Sequence, residues 1–338
     1  MPADTMRAAV ISDPSSGFDV VERPIPEPGP GEVRVSVDAC GVCRGDDVAY
    51  DGNPAVDYPR IPGHEFVGVV DAVGDDVTAW NRGDRVGVAW HGGHCFACEH
   101  CRRGEFVHCP EKPLTGVHRD GGYAEYALAR TEALVAVPDA LDSVDAAPLL
   151  CAGLTSFNAL RNADARLGDL VAVLGIGGLG HLAVQYAHHA GFEVAAVSRG
   201  SRKRDAALDL GADHYVDSDR TNPVERLQAL GGADLVFSTA PATDAIAGIV
   251  DGIGTDGEVV NVGAPDDPVP VDVGHLIATR GSVSGWTAGT PIDAEETLEF
   301  STRRGIEPKT ETFDLDDVET AYQRMADGDV RFRAVLTP

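Results

Sequence analysis

At 338 residues, 43% of them hydrophobic, the chain can build two domains with proper cores. Its 54 acids against 27 bases give a formal net charge of −27; such a surface repels nucleic acid and anionic membranes, which excludes both as partners. No apolar run approaches the ~20 residues of a membrane span, and the N-terminal residues lack a signal peptide's apolar core, so a cytoplasmic protein is expected.

Residues 6–13 and 33–39 alternate apolar and polar side chains as strands do, and the proline-rich stretch 24–31 between them reads as an extended connector. The second strand runs into Cys40-Gly41-Val42-Cys43-Arg44-Gly45-Asp46. After Gly63-His64-Glu65 come strands over 66–73 and 83–88, so this region is mostly β. A turn at 120–126 leads into another strand. Residues 144–160 predict a helix, broken at Cys151-Ala152-Gly153.

From there the pattern changes to strand and helix in alternation. Strands are predicted at 170–174, 192–198, 214–216, 235–238, 259–262 and 282–286, with helices between them, for example at 181–190, 203–210 and 243–250, as a doubly wound parallel sheet requires. Helices near 294–302 and 318–326 return to the first domain. The strand at 170–174 runs directly into Gly175-Ile176-Gly177-Gly178-Leu179-Gly180 and then a helix. A lone G-x-G-x-x-G is a weak signal, but strand before and helix after is the arrangement that binds a dinucleotide pyrophosphate.

Seven cysteines stand at 40, 43, 95, 98, 101, 109 and 151; the odd number and the absence of an export signal favour metal ligation over disulfides. Cys95, Cys98, Cys101 and Cys109 lie within 15 residues, and four thiols so spaced suit a closed tetrahedral zinc that folds a loop with little core of its own. With that shell full, His91, His94, His100 and His108 are expected to be solvated or locally hydrogen-bonded. Cys43, His64 and Cys151 are far apart in sequence; spacing alone reads them equally as buried core residues.

Taken together, Gly41-Val42-Cys43-Arg44-Gly45-Asp46, Gly63-His64-Glu65, the four-cysteine lobe, Cys151-Ala152-Gly153 and the glycine turn resemble, over essentially the whole chain, the zinc-dependent alcohol dehydrogenases of the medium-chain dehydrogenase/reductase superfamily. The resemblance implies an α/β protein with a β-rich GroES-like catalytic domain (1–153 and 288–338, with the structural zinc lobe at 91–112) and a Rossmann domain (154–287). It implies a catalytic zinc on Cys43, His64 and Cys151 with an open fourth position, Glu65 behind the metal, and Asp46 orienting the ligand histidine. Arg44 then matches a pyrophosphate contact and Thr155 a residue beside the nicotinamide, while Gly175, Gly177, Gly178, Leu179 and Gly180 form the phosphate turn.

The implied reaction is reversible hydride transfer between a primary or simple alcohol or aldehyde and a nicotinamide cofactor, in a homodimer or homotetramer joined through the strand at 282–286. A polyol or aromatic-alcohol oxidoreductase of the same superfamily, or a non-catalytic NADPH-binding protein, are the alternatives. Two positions depart from the family pattern. Gly45 stands where a proton-relaying Ser or Thr is usual, and Val48 where some members have His. The expected consequences are a lost relay and a wider pocket beside the zinc.

For the cofactor, an acid at the end of the second sheet strand would mark NAD; this chain has Ser198 and Arg199 there, with Arg202 and Lys203 following. Hydroxyl and guanidinium groups suit a 2′-phosphate, so NADP(H) is preferred over NAD(H). The spread-out acids, with only Lys112, Lys203 and Lys309 as lysines, resemble the composition of proteins that work in molar salt.

Overall fold

The computed structural model describes residues 4–265 and 267–338. It divides into two compact units, Met1–Leu154 with Gly289–Pro338, and Thr155–Ala288.

The first unit is organised around the strand Glu32–Val42. Its sequence alternates, burying Val33, Val35 and Val37, until residues 39–42, which are all buried. It pairs antiparallel with Phe66–Val73, Tyr126–Arg130 and Arg333–Thr337. Among the described residues the main path of this sheet runs Thr310–Asp314, Arg333–Thr337, Glu32–Val42, Phe66–Val73, Arg85–Val88, Leu134–Ala136. Val33, Val35, Phe66, Val70, Val86, Tyr123 and Leu336 fill the core beside it. The chain's last strand therefore lies against the strand that leads to Cys43, and a residue near position 333 can reach the residues around position 64.

A second, two-stranded sheet pairs Thr5–Val10 with Asp19–Pro24. The latter strand has no counterpart in the sequence prediction, because it is mostly exposed and its charged residues hide the alternation. The helix predicted over 144–160 does not break at Cys151. After Ser143–Pro148 the segment Leu149–Gly153 is π-helical, and the helix Leu154–Arg161 follows. Single π turns occur mostly at functional positions. In this one Cys151 is only partly buried, while Leu149, Leu150, Ala152 and Gly153 are buried.

In the second unit a six-stranded parallel sheet, counted among the described residues, has the order His214–Asp217, Glu193–Ser198, Leu170–Leu174, Ala233–Ser238, Ile253–Asn261, Ser282–Gly285. This is the doubly wound order, with the reversal beside Leu170–Leu174. That strand is buried along its whole length, as a strand covered on both faces must be. The helix Gly180–Ala190 follows it and stops at Gly191, whose φ of 90° closes the helix in the left-handed conformation. Of the helices expected between the strands without stated bounds, Pro223–Ala229 and Val273–Thr279 are each capped by a side chain, Asn222 and Asp272 respectively.

Candidate metal centres and nucleotide-binding turn

Where the strand Glu32–Val42 ends, Cys43 caps a tight turn, Arg44–Asp46. The Gly45 N–H points at the Cys43 sulfur (3.4 Å), and the Cys43 N–H donates to the Asp46 carboxylate (3.1 Å). His64 lies just before the strand Phe66–Val73 and is 1% exposed. Its Nδ1 is 3.0 Å from Asp46 Oδ1. A carboxylate there can only accept, so Nδ1 carries a proton; burial works against the imidazolium, but Asp46 and Cys43 outweigh it and raise the His64 pKa, and in the neutral ring it is Nε2 that would keep its lone pair. Nε2 is buried and has no hydrogen-bond partner. Buried polar atoms are rarely left without one, and this atom is aimed at something a protein group does not supply.

Cys151 supplies the third donor. Its sulfur is 4.0 Å from that of Cys43, about twice a disulfide bond and close to the ~3.8 Å edge of a tetrahedron with ~2.3 Å zinc–sulfur bonds. Donor atoms of Cys43, His64, Glu65 and Cys151 all lie within 4.8 Å of one another. The Cys151 contact, with His64 in support, pulls the Cys43 thiol well below the usual range, and Cys43 and burial push Cys151 well above it. A divalent cation held by both sulfurs would require both thiols to be deprotonated. Two thiols, an imidazole lone pair with no other partner and a nearby carboxylate fit a zinc ion.

Glu65 faces Arg333, whose Nη2 is 2.6 Å from Oε1; both side chains are buried. Burial works against the Arg333 charge, but Glu65, Cys43 and Cys151 outweigh it and raise its pKa. The Glu65 carboxylate also explains Gly41: a Cβ there would lie 2.0 Å from Glu65 Oε2.

The second cluster joins Cys95, Cys98, Cys101 and Cys109, again within 4.8 Å. Backbone N–H groups of Cys98 and Cys101 point at the sulfurs of Cys95 and Cys98 (3.3 and 3.4 Å). The N–H groups of Cys98 and Ala97 bring the Cys95 thiol down to about 7, halfway to the thiolate a metal needs. This donor set fits a closed, structural zinc site. Of the histidines around it, His100 bonds Glu105 (2.8 Å), but His91 and His94 are not solvated: both are buried and bond each other at 3.0 Å. His94 stacks on Phe106, which explains its burial.

In the second unit the glycine turn has the sterics of a phosphate cradle. Gly175 has φ 91°, and a Cβ there would lie 2.8 Å from Thr239 Oγ1; at Gly180 it would lie 1.8 Å from the Gly175 carbonyl. At Gly177 nothing lies within 4 Å, so the backbone is open on that side. Gly178 and Leu179 complete the turn into the helix, with the Leu179 carbonyl accepting from Ser156. Thr155 is buried in the same unit.

Residues 29–139 match the alcohol dehydrogenase GroES-like domain, and residues 178–303 match the zinc-binding dehydrogenase family. The alcohol dehydrogenase patD of Penicillium expansum is 42% identical over 98% of both chains, and an alcohol dehydrogenase of Geobacillus stearothermophilus is 37% identical over 98% of both. The cobalt- and zinc-bound thermostable alcohol dehydrogenase of Pyrobaculum aerophilum superposes with a TM-score of 0.88 at 30% identity, covering 99% of this chain and 100% of that one. The chain belongs to the zinc-dependent alcohol dehydrogenase family.

Against that family pattern, the dehydrogenase does not gain space at Gly45. A Cβ there would be 2.6 Å from His64 Cε1 and 3.3 Å from the Trp90 ring, and Trp90 meets His64 edge-on at 4.7 Å. The volume left by the missing side chain is taken up by the imidazole and the indole, which corrects the expectation of a wider pocket. Arg44 donates to the Ala326 carbonyl (2.9 Å) and lies 3.3 Å from Asp47, with over half of its side chain exposed. Ser198 ends its strand, 9% exposed, and Arg199 is exposed, with no hydrogen-bond or ion-pair partner among the described residues. Lys203 stands at the N-cap of the helix Arg204–Asp209. Asp217, beside Ser198 in the sheet, and Asp219, 3.7 Å from where a Gly200 Cβ would be, bring acids to this turn from the neighbouring strand. Sequence reasoning also missed Arg333, Trp90 and Tyr123. The one available signal was an arginine inside the apolar strand Arg333–Thr337.

Proposed function

We propose that this alcohol dehydrogenase transfers hydride reversibly between a primary or simple alcohol or aldehyde and NADP(H). Cys43, His64 and Cys151 hold the catalytic zinc, and Cys95, Cys98, Cys101 and Cys109 a structural one. The observation that carries this reading is the convergence of two thiols and the unpartnered, buried Nε2 of His64 from three distant segments. When bound, the zinc supplies Lewis acidity that lowers the pKa of an alcohol oxygen, and the nicotinamide takes the hydride. Asp46 keeps the His64 proton on Nδ1 and leaves Nε2 free to ligate. The Glu65–Arg333 pair fixes the charge behind the ligands. Positions 45 and 48 offer neither hydroxyl nor imidazole, so the alcohol's proton passes to water. The open glycine turn takes the pyrophosphate, and Ser198 and Arg199 favour a 2′-phosphate.

Homodimeric or homotetrameric assembly is proposed through the edge strand Ser282–Gly285. All four of its residues are exposed, as are Val283, Trp286 and Ile277 among the large apolar side chains; an uncovered edge of this kind pairs readily. The cysteines are all free thiols, which suits the reducing cytoplasm. Among the described residues no helix is long and apolar enough to cross a membrane.

The test combines metal analysis with a panel of alcohols and both cofactors. The wild type should hold two zinc ions per chain and show the higher catalytic efficiency with NADP. Cys151→Ala should hold one zinc, stay folded and be inactive. Two zincs in Cys151→Ala would overturn the ligand set, and a wild type that prefers NAD would overturn the cofactor reading.

A further inference from the structure

We propose that Tyr123 is a positioning residue for the catalytic metal site: its hydroxyl fixes Asp46, and through Asp46 the direction of the His64 Nε2 lone pair. The proposal rests on the ligand set above. Asp46 is 2% exposed, and its carboxylate receives four hydrogen bonds. Oδ1 takes Gly63 N–H (3.2 Å) and His64 Nδ1–H (3.0 Å); Oδ2 takes Cys43 N–H (3.1 Å) and the Tyr123 hydroxyl (2.7 Å). A carboxylate has about four lone-pair directions, so this one is saturated and cannot turn without breaking a bond.

The donors are not equivalent. Three belong to Cys43, His64 or its neighbour Gly63, that is, to the segments that carry the ligands themselves. If Asp46 rotated together with those segments, none of the three would resist. Tyr123 comes from the turn before the strand Tyr126–Arg130, which is bonded both to residues 61–63 and, through the Ala9 N–H, to the strand Thr5–Val10, and its bond is the shortest of the four. It references Asp46 to the core of the sheet.

The tyrosine is itself immobile. It is fully buried, its N–H donates to the Pro62 carbonyl (3.1 Å), and its carbonyl accepts from Ala9 (2.8 Å). Its ring fills the space where residue 63 would have a side chain. A Cβ at Gly63 would be 2.4 Å from Tyr123 Cδ1, and Gly63 has φ 95°. The glycine preceding the ligand histidine is therefore explained by the ring it admits. The ring also packs against Phe18 at 5.9 Å, so hydroxyl removal leaves the seat intact.

Tyr123→Phe isolates the hydroxyl. Losing a group bonded directly to a ligand, as Asp46 is, typically costs about 10- to 100-fold in metal affinity, and Tyr123, one step further back, should cost no more than the low end of that range. The experiment measures transfer of each zinc ion from the loaded protein to a chromophoric chelator. Cys151→Ala identifies which ion belongs to the catalytic site, and the four-cysteine ion serves as an internal reference for folding. Tyr123→Phe should weaken the catalytic ion by several-fold, up to about 10-fold, while leaving the reference ion unchanged. With cobalt in the catalytic site, the visible absorption bands should shift, reporting altered ligand geometry without reference to turnover. A catalytic ion held within twofold of wild type with unshifted bands would overturn the proposal. So would equal weakening of both ions, which marks general loosening. A wild type with no ion sensitive to Cys151→Ala would overturn the ligand set and this proposal together.

Discussion

Position 45 shows how far a single residue's meaning depends on its neighbours. By family pattern, Gly45 is a deletion that a serine ought to repair. In this structure the missing side chain is matched by His64 and Trp90, which lie 2.6 and 3.3 Å from where a Cβ would be. Contacts under 3 Å force a neighbour to move, and the nearer neighbour is His64, the proposed zinc ligand, which Asp46 holds in place. Overpacking of this kind typically costs about 1–3 kcal/mol. Gly45→Ser should therefore lower the occupancy of the catalytic zinc and the activity, rather than restore a proton relay. Metal analysis with steady-state kinetics checks this; a serine variant with full zinc and raised turnover would show that the imidazole and indole yield easily.

At the scale of elements, what the sequence made legible follows from range. The strands at Phe66–Val73 and Leu170–Leu174 and the helix Val318–Ala326 were readable to the residue, because their burial pattern is written locally. The glycine turn was readable because strand, glycines and helix are contiguous in sequence, although the Thr239 contact at Gly175 is long-range. Arg333 was not, since its partner Glu65 is 268 positions away and meets it only after the last strand pairs with Glu32–Val42. Nor was the π turn at Cys151, whose composition is that of an ordinary buried helix. The ligand set came from family resemblance and not from spacing, for the same reason. The Arg333 pairing carries a prediction of its own. Removing one partner of a buried ion pair leaves the other charge uncompensated and typically costs about 3–5 kcal/mol, whereas replacing both by apolar residues is often neutral. Arg333→Met should lower stability in urea by about that amount, and adding Glu65→Met should recover most of it. A single variant costing under about 1 kcal/mol would mean that Glu65 finds another partner, the zinc being the first candidate.

Over the whole molecule the dominant fact is charge. Acids outnumber bases 54 to 27, and some bases serve two acids at once. Arg34 contacts both Glu27 and Asp71, and Arg7 both Glu125 and Asp316. With twice as many acids as bases, half of the carboxylates cannot be matched one to one, and at low ionic strength they repel one another across the surface, which destabilises the compact state. Salt relieves this by screening: the Debye length falls from about 10 Å at 0.1 M to about 3 Å at 1 M. The melting temperature should therefore rise with KCl, steeply up to about 1 M and then level off, once the screening length is shorter than the spacing between exposed carboxylates. Potassium chloride is the appropriate salt, because sulfate also strengthens apolar burial and would raise stability by a different route. A melting temperature that does not change between 0.1 M and 3 M KCl would show that the surplus acids are far enough apart to ignore one another. A rise that continues in proportion to concentration would point to solvation of the acidic surface instead of screening.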